Sequence, residues 1–201
     1  MHADKAKCFE QESAASARAF ARVQRGDSDW HILALLGRMF RIVSQTGAVV
    51  EPMSIDEAYL DVSAISQAED IDASLLKAMP LARHLKQRML SESKLTATIG
   101  IASNKLLAKI ASDHKKPDGL TVLSEREKVS FLRPLPTRAI YGVGKVTEQT
   151  LSRAGIVTVG DMQDYAGDLR ALVGSFGPKL KQFAFGEDDR ALEIGDEIKS
   201  R

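Results

Sequence analysis

Val50-Glu51-Pro52-Met53-Ser54-Ile55-Asp56-Glu57-Ala58-Tyr59-Leu60-Asp61-Val62 carries two adjacent carboxylates, Asp56 and Glu57, between two segments patterned as strands. Val49 and Val50 lead in. On the way out Ala58, Leu60 and Val62 alternate with Tyr59, Asp61 and Ser63, a period of two that predicts a half-buried hairpin. Neighbouring carboxylates repel, and beside an apolar sheet they need a cation. Hard oxygen donors suit magnesium. In an ideal strand the two side chains would point to opposite faces. They can serve one ion only if the Ser54–Glu57 step turns or bulges, as a hairpin tip permits. On charge alone a solvated acidic turn is the better reading, because acidic pairs in turns are common.

Working outward, residues 1–30 are rich in Ala, Ser and charge and read as helix with a frayed start. Ile32, Leu33, Leu35, Leu36, Met39, Phe40 and Val43 recur at helical spacing up to Gly47. Downstream, a helix is expected over about 71–92, with Leu75, Leu76, Met79, Ala82, Leu85 and Met89 inward and Pro80 as a possible kink. A strand over 95–102, a helix over Asn104–Lys115 and a short strand over Leu120–Leu123 follow. Residues 125–190 read as all-helical, with a boundary near Ser124.

Two further places carry chemistry. Ser103 is a candidate cap for the helix after Ile101, whose free N–H groups favour an anion. Lys105 falls in its first turn, where a cation is unfavourable unless something negative sits at the same end. Lys109, Ser112 and Lys116 continue that side, and Leu106, Leu107 and Ile110 face inward; the bland alternative is an exposed basic stripe. His114 reads as a surface residue. Farther on, Gly142-Val143-Gly144-Lys145 precedes a helix containing Val146, Thr147, Thr150 and Leu151. Glycines let backbone approach a ligand, and a helix start offers N–H donors to a phosphate without reading sequence. Gly155 is expected to end that helix, and Thr158 with Asp161 to cap the next.

Composition bounds the class. The 201 residues are 44% hydrophobic and 27% charged with a net charge of +1, enough for a real core in one or two domains of a soluble intracellular protein. No apolar run is long enough to span a membrane, and Met1-His2-Ala3-Asp4-Lys5 lacks a signal-peptide core. Cys8 is the single cysteine and excludes an internal disulfide. The near-zero net charge gives no bulk attraction for nucleic acid, so any DNA affinity must be local.

Glu51-Pro52-Met53-Ser54-Ile55-Asp56-Glu57-Ala58-Tyr59-Leu60-Asp61 resembles the palm motif of the Y-family, the translesion DNA polymerases, and is nearest their DNA polymerase IV and kappa branch. Leu95-Thr96-Ala97-Thr98-Ile99-Gly100-Ile101-Ala102-Ser103-Asn104-Lys105 through Asp113, then Lys115-Lys116-Pro117-Asp118-Gly119-Leu120, continue the likeness in order. So do Ile140-Tyr141-Gly142-Val143-Gly144, Leu151, Gly155-Ile156 and Thr158, which resemble the family's helix-hairpin-helix thumb. The resemblance implies an α/β palm portion, a mixed sheet with helices forming a ferredoxin-like remnant, over 48–124. It implies an all-α helix-hairpin-helix thumb over 125–190, a helical segment without family motifs over 1–47, and the start of a linker over 191–201.

By the same resemblance the expected activity is template-directed nucleotidyl transfer to a primer end in DNA damage bypass, with two Mg2+ ions on Asp56 and Glu57. Lys105 would contact the triphosphate of a deoxynucleoside triphosphate, and Gly142, Val143, Gly144, Lys145 and Thr147 would hold primer-template DNA. A sliding clamp would be reached through a region beyond this chain. A cytoplasmic location is implied, or a nuclear one in a eukaryote. The family's first strand, with its Asp-x-Asp-Phe-Phe motif, its finger Tyr and Arg, and its little finger have no match. Asp27-Ser28-Asp29 reads instead as a loop and helix cap. Impaired chemistry is therefore expected, and a non-catalytic DNA-binding fragment is the alternative.

Overall fold

The structure, a computed structural model, describes residues 18–23, 41–54 and 56–193, with backbone alone for 18–23. Cys8, Asp27, Asp29 and most of the expected helix over Ile32–Val43 lie outside the described residues. Residues 41–44 are helical, and Ile42 and Val43 are buried.

Among the described residues five strands form one mixed sheet: β1 (Arg18–Val23), β2 (Val49–Pro52), β3 (Glu57–Asp61), β4 (Ala97–Ala102) and β5 (Leu120–Val122). Their order is β2-β3-β1-β4-β5, antiparallel except for the parallel β4/β5 pair. The strand β1 corrects the helix expected over residues 1–30. Its Ala- and Arg-rich sequence has helical propensity, but pairing to β3 on one side and β4 on the other outweighs that weak preference. It holds a central place in the sheet and contains no Asp or Glu.

Alternation along the strands sorts two cores. Ala58, Leu60 and Val62 of the hairpin and Ala97, Ile99 and Ile101 of β4 pack with Leu75, Ala78, Ala82, Leu85 and Met89 of helix α1 (Ile71–Ser93). Asp70 caps α1 by accepting from the Ala73 N–H at 2.8 Å. Pro80 lies inside α1, and Leu76 is exposed rather than inward. On the opposite face Gly100 meets helix α2 (Lys105–His114), whose backbone would touch any side chain placed there. Tyr59, Ala102, Leu106 and Leu107 form the second core together with residues from the helical half. Strand β3 is thus buried on both faces at Ala58, Tyr59 and Leu60, whereas β2 leaves Val49 exposed and buries only Glu51 fully. Tyr59 is covered because α2 and the segment after residue 185 close over it.

Residues 128–184 fold as short helices: α3 (Lys128–Leu132), a 3-10 turn (Thr137–Ala139), α4 (Lys145–Arg153), α5 (Val159–Asp164), α6 (Arg170–Val173), a second 3-10 turn (Gly174–Phe176) and α7 (Gly177–Ala184). Leu132, Ile140, Leu151, Ile156, Val159, Met162, Leu180 and Phe183 belong to the same core as α2. Lys181 ties this half together: its Nζ donates to the carbonyls of Met162, Gln163 and Tyr165, the last of which follows the end of α5.

Candidate functional site

The hairpin tip meets the geometric condition its carboxylates require. The N–H groups of Met53 and Ser54 both donate to the Glu57 carbonyl, at 2.9 and 3.2 Å, so two residues of one arm oppose one of the other. Asp56 Oδ1 accepts from Ser54 Oγ at 2.8 Å. Glu57 opens β3 and accepts from Lys109 Nζ at 2.8 Å through Oε1. Asp56 and Glu57 supply hard oxygen donors of the kind magnesium takes. Among the described residues, however, no three His, Cys, Asp or Glu side chains come together around an ion, and β1 beside Glu57 brings no carboxylate. The described residues therefore do not fit a two-ion site. Among the described residues, the ammonium of Lys109 faces Glu57.

Lys105 is engaged within the chain. Its Nζ sits 2.7 and 2.6 Å from the two carboxylate oxygens of Glu51, lies over the Tyr59 ring at 5.0 Å, and donates to the Ala191 carbonyl at 3.3 Å. The residue is 4% exposed. An anion does occupy this helix start, but it comes from within the chain. Asp188 Oδ2 accepts from the Leu106 N–H at 3.0 Å, and Glu51 neutralises Lys105. Lys105 is thus buried and ion-paired within the chain, and a phosphate could meet its ammonium only if the Glu51 pair opened. The cap is Asn104, whose Oδ1 accepts from the Leu107 N–H at 3.0 Å, while Ser103 Oγ donates to Glu125. The bland alternative, an exposed basic stripe, does not hold for Lys105 and Ser112, which are buried between sheet and helices. Burial pushes the Tyr59 phenol well above its ordinary range. Nearby Arg190 opposes that shift, and Glu51, Asp188 and Glu57 reinforce it.

The glycine turn lies apart from the hairpin in sequence, at the start of α4. Gly142 has φ +87° and lies against the Phe176 ring, so a side chain there would be both strained and crowded. Val143 is buried and anchors the turn, whereas Gly144 and Lys145 are exposed and Val146 is 78% exposed. Gly144 precedes α4 without a side-chain cap, which leaves the first N–H groups of the helix, Lys145 to Thr147, to solvent. Gly155 at φ +79° ends α4 as expected. Thr158 and Asp161 form a reciprocal capping box on α5. Hydrogen bonds from the Thr158 backbone and side chain and from the Val157 backbone hold the Asp161 carboxyl below its ordinary range.

A mixed sheet bearing a carboxylate-tipped hairpin, with helices packed on both faces, is similar to the palm of solved Y-family polymerases. Residues 33–113 match the family described as impB/mucB/samB. DNA polymerase IV of Stenotrophomonas maltophilia (strain K279a) is 44% identical over 153 residues, covering 76% of this chain and 40% of the relative. DNA polymerase IV of Pseudomonas paraeruginosa (strain DSM 24068 / PA7) is 41% identical over 155 residues, covering 76% and 42%. The crystal structure of DinB from Sulfolobus solfataricus superposes with a TM-score of 0.70 at 32% identity, over 81% of this chain and 47% of that one. The insertion ternary complex of Dbh DNA polymerase gives 0.71 at 32%, over 81% and 46%. The chain thus spans less than half the length of these relatives. Among the described residues no helix is long and apolar enough to cross a membrane.

Proposed function

We propose that this chain is the palm and thumb portion of a translesion DNA polymerase, a DNA-directed nucleotidyltransferase that acts on primer-template DNA and deoxynucleoside triphosphates. The observation that supports this most is the hairpin tip carrying Asp56 and Glu57 at the end of the sheet, in a chain 44% identical over 153 residues to a DNA polymerase IV. Asp56 and Glu57 are the candidate catalytic and metal-holding residues, with Mg2+ the ion their chemistry suits. Residues 125–190 serve as the thumb. In it the Gly142–Gly144 turn, α4 and α5 act as a helix-hairpin-helix, and the free N–H groups of Lys145 to Thr147, with the Lys145 ammonium, hold one backbone phosphate.

A second reading, a DNA-binding piece without chemistry, is favoured by the carboxylate-free β1 beside Glu57. Anisotropy on a labelled primer-template, followed by Mg2+-dependent primer extension, separates the two. The expected result is weak, sequence-independent binding that declines steeply with salt, with primer extension feeble but measurable. Any extension should vanish in Asp56→Ala. Extension at a polymerase's ordinary rate would contradict the incomplete carboxylate set, binding with no extension selects the second reading, and absence of binding at low salt removes both.

The turn gives its own prediction. Gly144 has φ −84° and nothing within 4 Å of the place a Cβ would take. Gly144→Val should therefore keep the fold, with a capping cost of about 1 kcal/mol at most. It should nonetheless weaken DNA binding several-fold by blocking the approach of a phosphate. Equal affinities of the two proteins would count against a phosphate contact at this turn.

A further inference from the structure

The segment after α7 runs back over the molecule, and its contacts converge on the phosphate turn. Gly186 turns the chain at φ +74°, and its carbonyl accepts from Asn104 Nδ2 at 2.9 Å. Asp188, with its side chain fully buried, uses Oδ2 to cap the Leu106 N–H. The same carboxylate receives Arg190 in two-pronged fashion, Nε to Oδ1 and Nη2 to Oδ2, both at 2.8 Å. That grip fixes the plane of the guanidinium. Its face lies 4.4 Å from the centre of the Tyr141 ring and 5.4 Å from that of Phe183. Beyond it the Glu193 N–H donates to Glu51 at 2.9 Å, closing the strap onto β2. Tyr141 immediately precedes Gly142, and its ring is half exposed.

We propose that Asp188 and Arg190 are positioning residues for DNA binding: the carboxylate orients the guanidinium, the guanidinium holds the Tyr141 ring, and the ring fixes the Gly142–Gly144 turn in its phosphate-holding shape. This rests on the DNA-binding reading of that turn. The physical logic is preorganisation. A glycine turn left free would have to be ordered when the phosphate arrives, at a cost in affinity. A stacked, doubly hydrogen-bonded arginine meets that cost during folding. Arg190 need not touch DNA at all, and this separates the proposal from an ordinary basic contact.

The test uses the whole chain and the variants Arg190→Gln, Asp188→Asn, Tyr141→Ala and Lys145→Ala, checked for fold by circular dichroism. Hydrogen exchange at the amides of residues 141–144 should quicken in the first three, and unchanged exchange in Arg190→Gln and Tyr141→Ala overturns the proposal. Affinity for a short duplex, measured across a salt series, should fall about three- to ten-fold in Arg190→Gln, as expected when one or two side chains must be ordered on binding. The slope of log affinity against log salt should stay at its wild-type value. Lys145→Ala, which removes a direct contact, should make that slope shallower by about one. The same shallowing in Arg190→Gln would mean that the arginine grips a phosphate itself, and overturns the proposal. The double variant Tyr141→Ala/Arg190→Gln should lose no more than the worse single variant, and additive losses again overturn it. If the wild-type chain fails to bind duplex at low salt, the DNA reading falls, and the exchange measurement still decides whether the strap holds the turn. Asp188→Asn keeps an acceptor for the Leu106 N–H; should it nevertheless unfold, Arg190→Gln and Tyr141→Ala decide.

Discussion

Lys105→Ala is expected to cost this fold about 3–5 kcal/mol, the range for removing one partner of a buried ion pair. Both side chains are almost fully covered, at 5% and 7% exposure. Without the ammonium, the Glu51 carboxylate keeps only the Glu193 N–H among its described donors. The loss comes from an uncompensated charge more than from the missing stem, and a second substitution exposes that. In Lys105→Ala/Glu51→Gln the unpaired charge is gone, so a large part of the stability should return. Urea unfolding followed by circular dichroism measures both. For a chain of this size the single change should lower the melting temperature by roughly 6–20 °C. A loss below about 1 kcal/mol would place Lys105 at the surface, where the pairing is worth little and the ammonium is free to meet a phosphate.

The same residue marks where sequence reading succeeds and where it stops. Electrostatics at the first turn of α2 demanded an anion near Lys105, and that demand is met. What the local sequence did not reveal is that the anion belongs to the chain itself. Glu51 lies 54 positions away, and Asp188 lies 82 positions from Leu106. Neither is adjacent to anything that flags a helix terminus. A charged residue at the third position of a four-residue strand, Val49-Val50-Glu51-Pro52, was the available signal for Glu51. For Asp188, nothing in Glu187-Asp188-Asp189 distinguishes the residue that turns inward.

The hairpin was legible because its evidence is local: a period of two, turn residues at the tip and a pair of acids at the bend. The helix boundaries of the second half were legible for the same reason, since Gly155 and the Thr158/Asp161 pair act within one turn. The strand β1 was not, because Arg-Ala-Phe-Ala-Arg-Val becomes a strand through pairing to residues 57–61 and 97–102. Nor was the two-sided burial of α2, whose Lys105 and Ser112 read as polar surface until both sheet and helices are in place.

Gly100 carries the other large effect. On the face of β4 turned toward α2, a Cβ built at this position would lie 2.2 Å from the Ala108 carbonyl oxygen, 2.4 Å from the Ser112 nitrogen and 2.9 Å from the Ala111 carbonyl carbon. All three are backbone atoms of one helix, so no rotamer change relieves the clash. Ordinary overpacking in a core costs about 1–3 kcal/mol because side chains give way. Here α2 as a whole must lift from β4, so Gly100→Ala should cost about 3 kcal/mol or more, and Gly100→Val should prevent folding. Lifting α2 also displaces Lys105 from Glu51 and Lys109 from Glu57, since both lysines ride on that helix. The damage should therefore appear in exchange of the β2–β3 hairpin as well as in the unfolding midpoint. Gly144→Val, which meets open space, is the matched control. A Gly100→Ala protein with a wild-type midpoint would mean that α2 stands farther from the sheet. In that case the lysine–carboxylate pairs that fix the candidate catalytic hairpin would have no rigid support.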